Sequence, residues 1–307
     1  TRARQMIEES ERNPVMLGAR TAAGAPYPPE DCRTQPLTLE QLDQVTLAAA
    51  QAWLEKLIAS SPIEVVVVGD LPRERARELL AKYVGALPAR ERVSPELYAA
   101  LRKLAQPAGA REVTRAVQTQ TPQAYVMSGF YGPDEQNVAD VRAMTLAARI
   151  LSTRMVKEVR EQAQLVYSIS AGLRPGSTYP GFGLLSAASP TDTAKAPQLV
   201  AKLAAMYSAL AKDGVTAEEL DVAKKQMANT LDQSMREPGF WLGQMSQMTF
   251  RGVNLDDVLG APAAYQALTG DQLRDVFAKY YSPERSVIVI VVPQPAEAGA
   301  AAPGGSH

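Results

Sequence analysis

The sequence predicts an α+β protein: a mostly antiparallel sheet with helices packed on one face, in one complete domain preceded by the end of a related domain. Three observations carry this. Short apolar runs of strand length, such as IEVVVV at 63–68 and SVIVIVV at 286–292, alternate with longer stretches whose apolar residues recur at helical spacing. The expected strands follow one another across short turns or return through helices, which favours antiparallel pairing with helices on one side. Two stretches also end alike: Gln41 to Trp53 then Ile63 to Gly69, and Asp271 to Tyr280 then Ser286 to Pro293, each reading helix, Pro-containing loop, hydrophobic strand. That likeness points to a duplicated unit whose first copy lacks its N-terminal side.

The elements follow in order. Thr38 and Gln41 form a capping box that opens a helix with Leu42, Val45, Ala49, Ala52 and Trp53 on its apolar face. Pro62 ends it, Ile63–Val68 reads as a strand stopped by Gly69-Asp70, and Pro72 opens a helix carrying Ala76, Leu79, Leu80 and Tyr83 on one side. Gly85 to Pro88 breaks that helix, and the charged, Pro- and Ala-containing stretch to Ala110 is the linker. Strands are expected at Glu112–Gln118 and Gln123–Tyr131, about a turn holding Pro122, and helices at Asn137–Leu151 and Arg154–Gln162. Leu165–Leu173 alternates as a strand, and Gly176, Pro180 and Gly181 lead to the next at Phe182–Ala188. Helices are expected at Ala194–Lys212, from the Thr216/Glu219 capping box to about Met235, at Pro238–Arg251 and at Gly270–Tyr281, before the buried strand Ser286–Val292. The resulting division is 1–92, the C-terminal part of a truncated domain; 93–111, linker; 112–293, the complete domain; and 294–307, a flexible Pro/Ala/Gly tail.

Composition narrows the function. Lys plus Arg number 32 against 33 Asp plus Glu, so nothing in the overall charge favours nucleic acid. No apolar run approaches the roughly 20 residues that cross a bilayer, so a soluble protein without a membrane span is expected. Residues Thr1 to Arg12 are charged from the first turn, unlike a signal peptide, and read as the start of a piece from a longer protein. One cysteine, Cys32, identifies no redox compartment; bacterial periplasm and cytoplasm both remain open. With no histidine but His307, Cys32 is expected to be an ordinary thiol. Met227, Met235, Met245 and Met248 with Phe240 and Trp241 read as core packing at helical spacing.

The chemistry-bearing feature is Arg160 followed by Tyr167, where a helical pattern turns into an alternating one. A guanidinium and a phenol held together can donate hydrogen bonds to a carbonyl oxygen that gains negative charge. Two plainer roles stand beside this: Arg160 as a surface partner of Glu158 or Glu161, and Tyr167 as a strand residue packed under the sheet.

Val65-Val66-Val67-Val68-Gly69-Asp70-Leu71, the helix ending Lys82-Tyr83-Val84-Gly85-Ala86-Leu87-Pro88, Leu151-Ser152-Thr153-Arg154 leading to Val159-Arg160-Glu161 and Leu165-Val166-Tyr167-Ser168, and Asp213 to Leu220 with Ala223-Lys224 recur in one order and spacing. Together they resemble the pitrilysin/insulinase family of zinc metallopeptidases across most of Thr34 to Pro293. The resemblance implies four related α+β domains in two halves that close around an unfolded peptide, with this chain matching the end of the third domain and all of the fourth. It implies an HxxEH zinc site with a distal Glu in the first domain. No HxxEH occurs here, so no residue of this chain is a zinc ligand, and zinc is expected in the N-terminal half outside this sequence. Arg160 and Tyr167 match by type and spacing the Arg and Tyr that the last domain contributes to the far wall. The expectation is therefore a substrate-binding portion of a zinc peptidase, inactive alone, whose partners are a peptide or unfolded protein substrate and the N-terminal half or a partner subunit. The rival expectation is a non-catalytic scaffold or partner subunit of the same family.

Overall fold

The computed structural model describes residues 2–294. The expected tail and His307 therefore lie outside the described residues, Gln294 excepted. The chain begins with two helices, α1 (Arg2–Ser10) and α2 (Pro14–Gly24), the second capped by Asn13, whose side chain accepts from the backbone N–H groups of Val15 and Met16. Next come α3 (Leu39–Asp43) and α4 (Leu47–Ser60). The Thr38/Gln41 capping box forms, but it opens a helix of only five residues. The single helix expected from Thr38 is divided because Thr46 offers a competing cap, its hydroxyl accepting from Ala49 N–H. Pro72 then leads into α5 (Arg73–Tyr83).

Residues 63–68, expected as a strand, form none. Their β-branched side chains stay exposed at Ile63, Val65 and Val67, and among the described residues no strand pairs with them. Local preference cannot substitute for a missing ladder, because an extended segment gains its hydrogen bonds only from a neighbour.

The remaining chain builds one five-stranded sheet. Strands β1 (Arg111–Gln118) and β2 (Gln123–Gly132) precede α6 (Val138–Met155); β3 (Ala171–Arg174) and β4 (Gly183–Asp192) precede α7 (Ala196–Asp213). Helices α8 (Ala217–Met235), α9 (Pro238–Met245), α10 (Met248–Arg251), α11 (Leu255–Ala267) and α12 (Gly270–Tyr280) follow, and β5 (Ser286–Gln294) closes the sheet. The order is β1-β5-β2-β4-β3, antiparallel except for the β1–β5 pair. The mostly antiparallel α+β architecture is thus as expected, but β1 and β2 do not pair across their turn. The last strand inserts between them, with Val289 facing Val113 on one side and Met127 on the other.

Period-2 alternation assigns each face. Ala124, Val126 and Phe130 of β2 enter the core beneath α6, α7 and α12, where Phe130 makes edge contacts with Tyr207, Phe277 and Tyr281 at ring-centroid distances of 5.4, 5.2 and 5.1 Å. The domain's own helices form this layer. Tyr125, Met127 and Tyr131 point the other way with Val287, Val289 and Val291, and there the cover is Leu17 of α2, Ala25 and the Tyr27 region. The Tyr131 hydroxyl donates to the Pro26 carbonyl, and burial pushes its pKa up to about 12. Helix α2 and the residues just after it thus complete a second, smaller core on the sheet's far face, which periodicity in 1–27 did not reveal.

Candidate functional site

The site is built where α6 ends. Residues Val156–Gln162 continue the helix in π geometry, with Ala163 N–H donating to Glu158 O at 3.2 Å, five residues back, and Leu165 N–H to Val159 O at 3.0 Å. π turns inside helices widen the coil and often re-aim a side chain. Here buried Val159 anchors the turn to the core and Arg160 projects outward. The two helices expected at 137–151 and 154–162 are therefore one continuous rod with a changed pitch.

After the rod, Gln164 takes a left-handed backbone conformation, φ 50°, reversing the chain's direction. The strand expected at 165–173 is confined to 171–174. Leu165, Val166 and Ile169 are buried, a spacing that is not alternation, so 164–170 is an anchored loop. Tyr167 stands out of it, 88% exposed. The reading of Tyr167 as packed beneath the sheet is thus excluded.

The fold brings Arg160 and Tyr167 together. The guanidinium carbon of Arg160 lies 5.7 Å from the centre of the Tyr167 ring, within cation–π reach. Glu158, one expected partner of Arg160, instead binds Lys202 of α7 at 2.6 Å. Among the described residues no carboxylate pairs with Arg160, Glu161 included. A guanidinium without a carboxylate keeps its five donors available.

The neighbouring ion pair is of a different kind. Arg154 binds Glu219 of α8 through two nitrogens, at 2.7 and 2.8 Å, and also donates to Gly214 O at 3.0 Å. The Arg154 hydrogen bonds hold the Glu219 carboxyl at about 2, well below its ordinary value, despite partial burial. The Thr216/Glu219 capping box legible in the sequence is present, but its Glu serves Arg154 as well. Nothing local could have shown a contact between residues so far apart in sequence.

Other sequence candidates separate. Cys32 is an exposed free thiol. Of the methionine group only Met227 is fully buried; Met235, Met245 and Met248 are half-buried, so the expected core packing is partial. At the sheet edge, the Ser152 hydroxyl accepts from Ala171 N–H at 2.9 Å, and its one hydrogen lies between Ala148 O at 2.9 Å and Ala171 O at 3.1 Å, blunting β3 as a pairing edge. No helix of the described residues is long and apolar enough to cross a membrane. Among them no group of three His, Cys, Asp or Glu side chains is placed to hold a metal ion.

The geometry is thus an open five-stranded sheet with a helical layer and an exposed Arg–Tyr pair beside the end of α6. The family model described as the peptidase M16 inactive domain matches residues 44–227, and the chain belongs to that family. This agrees with the expected place in the C-terminal half of pitrilysin/insulinase proteins. Among solved structures the chain is similar to a peptidase M16 inactive domain from Pseudomonas fluorescens, at 23% identity and TM-score 0.77, covering 95% of this chain and 70% of that one. It is also similar to a protease from Helicobacter pylori, at 17% identity and TM-score 0.71, covering 83% and 61%. A third is the periplasmic protease PqqL from Escherichia coli, at 19% identity and TM-score 0.74, covering 94% of this chain but 32% of that one. At these identities the likeness is one of fold. No curated protein sequence matches the chain.

Proposed function

We propose that this chain is the substrate-wall portion of a zinc-dependent peptidase, and that Arg160 and Tyr167 hold the substrate carbonyl and stabilise its oxyanion. The observation that carries the reading is the Arg160–Tyr167 pair itself: a guanidinium without a carboxylate on the π turn, juxtaposed with an exposed phenol on the following loop, whose apolar residues Leu165, Val166 and Ile169 are buried. Two such donors match the requirement of a carbonyl oxygen that becomes an oxyanion, and loss of one typically costs about 10²- to 10³-fold in rate. In this reading the metal, on residues outside this sequence, supplies the activated water. This chain orients the peptide and is inert alone. The name of the matched family, an inactive domain, accords with a role that holds no metal. A peptide or unfolded protein as substrate is consistent with one fold relative, a ferredoxin protease solved with Arabidopsis ferredoxin, at 15% identity and TM-score 0.66.

The exposed segment 39–104 belongs to the same proposal. Trp53, Leu54, Leu57 and Ile58 of α4 and the unpaired run 63–68 present apolar surface that a soluble protein rarely leaves open. We infer that 1–92 contains the end of a related α+β domain, covered by the rest of the protein or a partner subunit. That surface also favours the second reading, a scaffold or partner subunit without catalysis.

Cleavage of a quenched fluorescent peptide library by the full-length parent protein, with and without chelator, decides between them. Chelator-sensitive cleavage reduced about 10²-fold or more by Tyr167→Phe or Arg160→Ala, with folding intact, is the expected result. Cleavage insensitive to both substitutions removes the oxyanion role, and an inactive parent protein leaves the scaffold.

A further inference from the structure

We infer that Thr191 and Ser189 of β4 are positioning residues for Tyr167, holding by side-chain hydrogen bonds a loop that the sheet does not hold by its ladder. The inference rests on the reading of Tyr167 given above.

Strand β3 pairs with β4 only from Ala171 opposite Ala187 to Arg174 opposite Leu184. Beyond that, β4 continues to Asp192 paired to β2 on one side and with no strand on the other. The chain that would have filled this gap is the segment expected as strand, 165–170. It makes no ladder bonds with β4. In their place the Thr191 hydroxyl donates to Leu165 O at 2.6 Å and the Ser189 hydroxyl to Ser168 O at 2.7 Å. These two carbonyls bracket Tyr167. Thr191 and Ser189 are two residues apart on one strand, so both face the same side. Both are buried, at 5% and 2% exposure, where an unpaired hydroxyl or carbonyl would be costly. The Ser189 hydroxyl also lies 2.8 Å from Pro190 O, which leaves Thr191 the undivided anchor. Lys195 Nζ donates to Gln164 O at 3.1 Å, closing the loop's start.

A ladder in place of these hydroxyls would put Tyr167 into the pleat, pointing alternately to core or solvent with its neighbours. Hydroxyl anchors instead free the intervening residues from period 2. Val166 and Ile169 then plug the core while Tyr167 projects toward Arg160. The hydroxyls touch no substrate; they act through the Tyr167 backbone.

The decisive experiment uses the full chain labelled with 3-fluorotyrosine, the Tyr167 ¹⁹F resonance being assigned by its loss in Tyr167→Phe. In Thr191→Val, and to a lesser degree in Ser189→Ala, that resonance should narrow and move toward the shift of free tyrosine, while the other tyrosine resonances stay in place. Thr191→Ser, which keeps the hydroxyl, should restore it. A purely structural Thr191 would lower thermal stability without singling out Tyr167. An unmoved Tyr167 resonance in folded Thr191→Val overturns the proposal; should that variant not fold, an unmoved resonance in Ser189→Ala overturns it equally. In the parent protein Thr191→Val should lower kcat by about tenfold with KM nearly unchanged, since misorientation of a donor is felt in the transition state. If Tyr167→Phe leaves cleavage intact, the oxyanion role falls, and the resonance still decides whether Thr191 orders this loop.

Discussion

Glu219 is shared between two tasks, accepting from Thr216 N–H at 2.8 Å as the helix cap and from the Arg154 guanidinium across the interface of α6 and α8. Its folded pKa of about 2 lies below the ordinary carboxylate value of 4.5, mainly through the Arg154 hydrogen bonds. A depressed folded pKa means that the pair's stabilisation is fully present above about pH 4.5 and is lost as pH falls toward 2. Glu219→Gln should therefore cost about 1 to 2 kcal/mol at pH 7, and much less at about pH 2.5, in denaturant unfolding. An equal loss at both pH values would assign the effect to the cap alone. At this scale the proposed pair, Arg160 and Tyr167 at a spacing of seven, was legible in the sequence. It did not disclose that Lys202 would occupy Glu158 and leave Arg160 without a carboxylate, because that pairing joins α7 to the π turn.

Among the elements, α2 has the least expected role. Gly18 is where it meets the sheet: a Cβ there would lie 2.1 Å from the ring of Tyr125, which is buried in the second core. Gly18→Ala should lift α2 from the sheet at a cost of about 1 to 3 kcal/mol. Faster amide exchange and proteolysis within residues 2–27, with the α6–α7–α12 layer still protected, would show this; uniform protection would mean that Tyr125 can move aside. Capping boxes and apolar stripes announced most helices, since both are local and repeat with the helical turn. The π turn at Val156–Gln162 was not announced, because its wider coil leaves no periodic signature in seven residues, of which only Val159 is buried. The strand expected at 165–173 shortened for a related reason. Leu165, Val166 and Ile169 are apolar enough to pass for a strand, yet they are held by burial in the core and by hydroxyl anchors.

For the molecule as a whole, the contrast between its two parts carries the remaining prediction. The sheet of 111–294 is covered on both faces, whereas α4, α5 and the run 63–68 have no buried residue among them. If 1–92 is the end of a domain completed elsewhere, amides of 63–68 should exchange about 10²-fold or more slowly in the parent protein than in this chain alone, as unpaired N–H groups become paired. Equal exchange in both would argue that the segment stays single. Composition, the alternation of strand and helix, and the order of short motifs were enough to identify an α+β domain of this family, because burial patterns and caps are written in neighbouring residues. Strand order, the second core beneath α2, the failure of IEVVVV to pair and the exposure of Tyr167 depended on the folded chain. Each is a contact between segments distant in sequence, and whether such a contact exists is settled by the partner that arrives, not by the preference of the residues that wait for it.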